Sequence, residues 1–338
     1  MSEPLLSVEN LTVSYKVPGG LVHAVDGASF EVPEGSITGL VGESGCGKTT
    51  AARALTRVMA DNASISGGRI MFAGQDLAKL PERRMNALRW RDIAFVPQSA
   101  MNSLDPVYTV EYQLAEVLRK RGGMGRRDAR RRSEELFDMV GIDPGRLSDF
   151  PHQFSGGMRQ RVAIALALAL DPKLVIADEP VTALDVIVQR QILDQLKELQ
   201  QRLGLSVILV THDISVVAYI CDRTVVMYAG KVAEAGTTRA TLTQPSHPYT
   251  MGLKNAFPDL TGAETGELTP IEGAPPSLAD PPQGCRFAER CPFALDICAS
   301  EPPLVALDAV HQVACHRAGE AGRLRVEAAK TETWGVGL

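Results

Sequence analysis

The sequence predicts an α/β protein in which a strand, a loop and a helix together bind phosphate. Residues 37–41 form the apolar run of a short buried strand, and residues 42–49 follow it with the pattern G-x-x-x-x-G-K-T. Further short apolar runs at 93–96, 174–177 and 207–210 are separated by helical patterns. Strands that alternate with helices favour a central sheet covered by helices. We expect this sheet to be mixed.

The glycine spacing of this loop has a physical explanation, because it lets backbone N–H groups approach a bound anion. Glycines allow the chain to curl tightly, so that successive N–H groups point into one concavity that fits phosphate oxygens. Lys48 adds a positive charge, the Thr49 hydroxyl can bind Mg²⁺, and the following helix directs its positive end at the same phosphates. The predicted nucleotide-binding residues of this P-loop are Gly42, Ser44, Gly45, Cys46, Gly47, Lys48, Thr49 and Thr50.

Two strands are predicted before the P-loop. Residues 6–15 and 25–32 alternate between apolar and polar side chains, the period of half-buried strands. They predict a small antiparallel β-layer over the nucleotide. Tyr15 ends the first strand, where its ring could stack on adenine or simply pack against its neighbours.

Composition excludes several functional classes. The 338 residues carry a net charge of −5, so no overall positive field would attract nucleic acid. No apolar run approaches the roughly 20 residues that span a bilayer. The first residues lack the basic and apolar stretches of a secretory signal. We expect a cytosolic chain whose role at a membrane, if any, requires membrane partners.

The middle of the chain predicts a helical subdomain at about 99–165. Residues 109–141 are mostly helical in pattern, and the basic stretch 126–132 is interleaved with acids, which favours a solvated helix face over a phosphate or lipid site. Ser155, Gly156 and Gly157 then precede a strong helix, so their N–H groups predict a second anion site.

Polar residues follow three of the apolar runs. Gln98 comes after the run at 93–96, Asp178 and Glu179 end the run at 174–177, and His212 follows the run at 207–210. The carboxyl ends of parallel strands collect ligand contacts. A carboxylate at such an end beside a P-loop is the usual second ligand for Mg²⁺.

These motifs, in this order, resemble the nucleotide-binding subunit of ABC transporters over roughly residues 5–240. The resemblance implies an ABC ATPase that binds ATP and Mg²⁺. Glu179 would act as general base, His212 would hold the γ-phosphate, and Gln98 and Lys48 would complete the catalytic set. Thr49, Gln98 and Asp178 would surround Mg²⁺, and Tyr15 would stack on adenine. Ser155, Gly156, Gly157 and Asp185 would contact the nucleotide of a partner subunit.

A closer resemblance is to the oligopeptide and dipeptide importer ATPases. It is carried by residues 154–161 with Met158 in place of the common glutamine, by residues 102–106, and by the segment His247-Pro248-Tyr249-Thr250. It implies a second, paralogous ATPase subunit, two membrane permeases and an extracytoplasmic solute-binding protein, with the chain at the cytoplasmic face of the membrane. Peptides are the expected solute, with nickel and oligosaccharides as alternatives.

The C-terminal part predicts a small cysteine-rich module. Prolines and glycines crowd the stretch before it, so residues 241–284 are expected to form a linker. Four cysteines then lie within a stretch of 31 residues. A stretch of this size is too small and too polar to fold on apolar burial alone, and a bound metal would supply the missing stabilisation. The cysteines are Cys285, Cys291, Cys298 and Cys315.

The ligand of these cysteines is open between three possibilities. The subfamily resemblance implies a [4Fe–4S] cluster; zinc and free thiols are the alternatives. His311 or His316 could replace one cysteine. Because the module at 285–316 follows a linker and lies outside the nucleotide motifs, we expect it to be structural and not to touch ATP chemistry directly, with redox sensing as the alternative role. Residues 317–338 are expected to form a flexible tail.

Two other functional classes compete with transport. A soluble ABC ATPase acting on DNA or the ribosome usually carries a coiled-coil insertion or two nucleotide domains, and neither is found here. An ATP-binding regulator without turnover conflicts with the intact Glu179 and His212. We therefore expect an ATP-hydrolysing importer subunit.

Overall fold

A computed structural model describes residues 3–98, 103–182, 184–256 and 269–335. The chain divides into two compact units. The first comprises residues 1–32, 37–78 and 211–338, and the second comprises residues 33–36 and 79–210. Part of the motif at 102–106 and part of the predicted linker, 257–268, lie outside the described residues.

The strands and helices alternate along much of the chain. The strands are β1 (Leu6–Val17), β2 (Gly20–Val32), β3 (Ile37–Val41), β4 (Ala63–Phe72), β5 (Gln75–Asp76), β6 (Ile93–Val96), β7 (Leu174–Asp178), β8 (Ser206–Thr211), β9 (Arg223–Tyr228), β10 (Lys231–Thr237), β11 (Val305–Ala306) and β12 (Gln312–Val313). The helices are α1 (Lys48–Thr56), α2 (Glu82–Leu88), α3 (Val110–Lys120), α4 (Arg126–Met139), α5 (Gly156–Ala167), α6 (Val186–Leu203), α7 (Ile214–Ile220), α8 (Thr238–Thr243), α9 (Pro248–Asn255) and α10 (Ala321–Ala328).

An antiparallel sheet in the first unit confirms the predicted β-layer. Its strands are ordered β2-β1-β4-β5. Leu6, Val8, Leu11 and Val13 of β1 are buried, and the register with β2 shifts between Val8 and Leu11 and again before Val13. These irregularities let alternate side chains stay on the buried face along a twisted strand.

The first unit also contains a mixed sheet, as predicted. The P-loop strand β3 lies parallel to β9, and β9 forms an antiparallel hairpin with β10. Ala229 and Gly230 form the turn of this hairpin, since Tyr228 pairs with Lys231. Beyond β10 the sheet continues with β12 and then β11.

The C-terminal region therefore differs from the prediction of a separate module after a linker. Its strands β11 and β12 extend the sheet that carries the P-loop strand. Residues 241–255, placed in the predicted linker, instead lie within helices α8 and α9 apart from the turn between them. Tyr249, Met251 and Leu253 of α9 are buried, which explains why this segment folds as a helix.

The predicted flexible tail is also wrong for its described part. Helix α10 packs against α9, with Leu324 and Ala328 buried. Trp334 is buried as well, and its indole N–H donates to the Ala328 carbonyl at 2.8 Å. These few apolar side chains anchor residues that show no regular apolar period.

The second unit contains a parallel sheet of β6, β7 and β8. All five residues of β7 are buried, the pattern of a strand covered on both faces. Helices α3, α4 and α5 form the expected helical part. The basic stretch on α4 forms ion pairs with acids, among them Arg130 with Glu134, which confirms a solvated helix face. Within the described residues, no helix is both long and apolar enough to cross a bilayer.

Candidate nucleotide site

The P-loop connects β3 to α1 and lies against the backbone of its neighbours. Gly42 has a φ of 156° and Gly47 a φ of 100°. A Cβ at Gly42 would meet the Met227 carbonyl oxygen, and one at Gly47 would meet the Ala24 carbonyl oxygen. Glycine is thus required at these two positions by backbone conformation and by close approach.

Lys48 is buried at the start of α1 and is directed at the loop. Its Nζ donates to the Gly42 carbonyl at 2.7 Å and to the Glu43 carbonyl at 2.8 Å. Tyr15 lies beside the same helix, with its hydroxyl 3.3 Å from the Thr50 hydroxyl. The structure thus places the predicted adenine-stacking residue next to the predicted phosphate cradle.

The loop side chains divide into exposed and buried ones. Ser44 and Gly45 are exposed, whereas Cys46 is buried against Lys48 and burial raises the pKa of its thiol. The Cys46 side chain therefore contributes packing, and its N–H donates to the Glu43 carbonyl at 3.3 Å. Thr49 follows in the first turn of α1.

The two adjacent acids lie in the second unit and have different surroundings. Asp178 is fully buried at the end of β7, whereas Glu179 is half-buried and adopts a φ of 48°. Gln98 Nε2 donates to Glu179 Oε2 at 2.8 Å, and Thr182 Oγ1 donates to the same oxygen at 3.0 Å. Gln98, predicted beside Mg²⁺, here orients the predicted general base.

The signature segment and Asp185 meet at two helix N-termini of the second unit. The Ser155 hydroxyl accepts a bond from the Met158 N–H and caps α5, whereas the Asp185 carboxylate accepts from the Val188 N–H and caps α6. A Cβ at Gly157 would lie 2.5 Å from Val188 Cγ1. The two caps therefore lie in one contact region.

His212 belongs to the first unit and follows β8 as an exposed side chain. The next residue, Asp213, accepts a bond from the Ser215 N–H at 2.8 Å and caps α7. The roles assigned to His212 and to the other catalytic and Mg²⁺-binding residues stay predictions.

The four C-terminal cysteines line one small cavity of the first unit. His247, Phe287, Phe293 and His316 contribute to its wall, together with Cys285, Cys291, Cys298 and Cys315. Burial, reinforced by the neighbouring thiols, raises the pKa of Cys291 to about 12 and that of Cys315 to about 11. No group of three or more His, Cys, Asp or Glu side chains in the described ranges is placed to hold a metal ion as it stands.

The sequence did not predict the contacts that Tyr249 and Arg290 make with Glu43 of the P-loop. The Tyr249 hydroxyl accepts from the Glu43 N–H at 2.9 Å, and Arg290 Nη1 donates to Glu43 Oε2 at 2.8 Å. The cysteine-rich segment thus contacts a residue of the P-loop, whereas the expectation that it does not touch ATP chemistry directly stays a prediction. Tyr249 belonged to a recognised motif, but nothing in that motif indicated its partner.

Comparison with known proteins agrees with this geometry. Residues 25–182 match the family model described as ABC transporter, and residues 233–298 match the C-terminal region of oligopeptide/dipeptide transporters. The dipeptide transport ATP-binding protein DppD of Bacillus subtilis (strain 168) is 48% identical over 301 residues, which are 88% of this chain and 89% of that protein. The chain belongs to the ABC transporter ATP-binding family.

Other members of the ABC family support this placement. The oligopeptide transport ATP-binding protein OppD of Escherichia coli (strain K12) is 46% identical over 305 residues, 90% of each chain. An ATP-binding cassette solved as a dimer bound to ADP and Pi has a TM-score of 0.62 at 28% identity, covering 69% of this chain and 99% of its own. ABC membership and the P-loop geometry together make this chain an ATPase.

Proposed function

We propose that this ABC ATPase supplies the energy for import of di- or oligopeptides through partner permeases at the cytoplasmic face of the membrane. The observation that carries the proposal is the match of residues 233–298 to the C-terminal region of peptide transporters. In the structure this region begins within β10, which belongs to the same sheet as the P-loop strand. The relatives named for dipeptide and oligopeptide transport support the same solute class.

The chemistry asked of the chain is mostly positioning, since phosphoryl transfer needs little covalent help from protein. Lys48 and the P-loop amides bind the β- and γ-phosphates, and Glu179 polarises the attacking water. Thr49, Gln98 and Asp178 are the residues that would hold Mg²⁺, which neutralises phosphate charge when bound with ATP. The two bonds to Glu179 Oε2 orient the carboxylate before substrate arrives.

A complete site is proposed to need a second ATPase subunit, here a paralogue. The signature residues and Asp185 would face the nucleotide held by that partner. Val186 and Ile187, directly after Asp185, are 80% and 72% exposed. Exposed apolar side chains beside a polar cap are typical of a surface that a partner covers.

Transport by the assembled importer tests the proposed solute. The chain would be reconstituted in vesicles with the proposed paralogue, two permeases and a solute-binding protein. We expect ATP-dependent uptake of labelled di- or oligopeptides, and no uptake with the Glu179→Gln variant. Uptake of nickel or oligosaccharides instead of peptides would contradict the peptide assignment.

The four-cysteine cavity is proposed to hold a [4Fe–4S] cluster, with zinc as the competing ligand. Thiolates are the soft ligands that both prefer, and all four thiols line the same cavity. Because ligation requires deprotonated thiolates, the raised pKa values mean that binding would release protons. Protein purified anaerobically should contain about four irons per chain. One tightly held zinc and no iron would contradict the cluster.

A further inference from the structure

Glu43 is the second residue of the P-loop and is bound at three points. Its N–H donates to the Tyr249 hydroxyl at 2.9 Å, and its carbonyl accepts from Lys48 Nζ at 2.8 Å. Its carboxylate accepts from Arg290 Nη1 at 2.8 Å. Two of the three partners come from the C-terminal region, some two hundred residues further along the chain.

Arg290 is held rigidly where it meets Glu43. Its Nε donates to the Glu272 carbonyl at 2.8 Å, and its Nη2 donates to the Ile271 carbonyl at 3.2 Å. Its Nη1 also contacts the Tyr228 hydroxyl at 3.2 Å. All three nitrogens of the planar guanidinium are therefore hydrogen-bonded. The two backbone carbonyls of the C-terminal region fix its position.

The Arg290–Glu43 pair is sheltered from water. The Arg290 side chain is 9% exposed and that of Glu43 is 24% exposed. Burial alone would lower the pKa of Arg290, but its bonds to Glu43 and Tyr228 outweigh burial and raise it. A sheltered charge-assisted bond of this kind is stronger than a surface ion pair.

A second arginine of the same segment contacts residues that border the P-loop. Arg286 donates to the Ala229 carbonyl and to the Asp26 carboxylate. The next residue, Gly230, donates its N–H to the Cys46 carbonyl at 2.9 Å. The loop between Cys285 and Cys291 therefore contacts the P-loop directly at Glu43 and indirectly at Cys46, through the turn at Ala229 and Gly230.

We propose that Arg290 is a positioning residue for the P-loop, and that through it the cysteine-rich segment sets the affinity of the site for nucleotide. The amides that bind phosphate belong to the backbone that Glu43 anchors. Losing the arginine would free that backbone and leave a carboxylate without its cation close to the triphosphate. The inference concerns protein contacts and holds whatever ligand the thiols bind.

A double-mutant cycle on the full chain tests this coupling. The variants are Arg290→Ala, Glu43→Gln and the double variant, and the readout is equilibrium binding of a fluorescent ATP analogue that is not hydrolysed. We expect Arg290→Ala to raise the Kd about tenfold, the loss of one charge-assisted hydrogen bond. The double variant should bind no more weakly than Arg290→Ala, because the two residues act on one another.

Arg317→Ala is the matched control. Arg317 directly follows the cysteine-rich segment and donates to the Phe293 carbonyl within it and to Glu320; at 12% exposure it is similarly sheltered. It should leave the Kd within about twofold of wild type if the effect requires contact with the P-loop. A tenfold loss in this control as well would show that general damage to the segment is responsible and would overturn the proposal.

Hydrogen exchange gives a readout that is independent of nucleotide. The amides of residues 42–48 should exchange faster in Arg290→Ala than in wild type or Arg317→Ala. Should Arg290→Ala fail to fold, Glu43→Gln alone remains informative, because it removes the charge from a partly exposed loop residue. Unchanged exchange together with an unchanged Kd in Glu43→Gln would refute the positioning role. A Kd increase in the double variant equal to the product of the two single-variant increases would also refute it.

Discussion

Glu179 adopts a left-handed backbone conformation directly after a buried strand. Such a conformation costs a residue with a Cβ about 1–2 kcal/mol. Its N–H donates to the Val210 carbonyl at 2.8 Å, and its side chain is held by Gln98 and Thr182. The turn separates the two acids, so that Asp178 stays in the strand while Glu179 leaves it. The two adjacent carboxylates can thereby serve the two predicted roles, Asp178 in binding Mg²⁺ and Glu179 as the base.

Replacement of Glu179 by Gln should leave ATP binding intact and slow hydrolysis by at least about a hundredfold, as expected when a positioned base is lost. The amide keeps the size of the side chain but cannot accept a proton. Single-turnover hydrolysis with the purified subunit assembly measures the effect, and nucleotide binding serves as the control. Near-normal hydrolysis would remove Glu179 from the role of base.

Thr182 donates a hydrogen bond to the same carboxylate, and we expect it to act as a positioning residue for Glu179. The Thr182→Val variant keeps the shape of the side chain but removes the donor to Glu179 Oε2. We expect kcat to fall about tenfold, the effect of losing one hydrogen bond to a charged group, while KM for ATP stays unchanged. A fall in ATP affinity with kcat preserved would instead place Thr182 in binding.

At the level of elements, the N-termini of α5 and α6 form one contact. Val188 is β-branched and stiff, so it cannot move easily from a Cβ placed at Gly157. Gly157→Ala should displace the signature helix and reduce ATPase activity of the assembled importer at least tenfold, with ATP binding by the P-loop unaffected. Adding Val188→Ala should restore most of the activity. Failure of this second change to restore activity would mean that the contact is not the cause.

The elements that sequence could predict are those with a local signal. β1 shows alternate burial and β7 is buried throughout, and both patterns are written in consecutive residues. Helix α10 and Trp334 were not predictable, because their burial depends on partners such as α9 rather than on a period of their own. The short strands β11 and β12 have only two residues each, too few for any pattern.

The residues of the candidate site likewise divide into those that a contiguous motif identifies and those that only the fold brings together. The P-loop glycines, Ser155 and the strand acids were recognised because each motif is contiguous. The bond between Arg290 and Glu43 joins residues 247 positions apart. Neither residue belongs to a motif that specifies the other, so only the folded chain could reveal that they meet.

At the scale of the whole molecule, the number of motifs is informative. The described chain carries one P-loop and one signature segment, whereas the ABC cassette with ADP and Pi to which it is similar was solved as a dimer. Val186 and Ile187 present apolar surface beside Asp185. Covering such exposed apolar residues with a second subunit lowers the free energy of the assembly, because apolar surface is removed from water.

We therefore expect the isolated chain to bind ATP but to be a poor ATPase, with turnover rising at least tenfold when the paralogous subunit is added, because a complete site would take its signature residues from the partner. Hydrolysis measured against the concentration of each subunit, together with the mass of the complex in solution, checks this. The Ile187→Asp variant is the control, since a charge on the exposed apolar surface should weaken pairing while leaving ATP binding by the single chain unchanged. Full activity in a strictly monomeric preparation would contradict the shared site, because a single chain would then need nothing from a partner to complete hydrolysis.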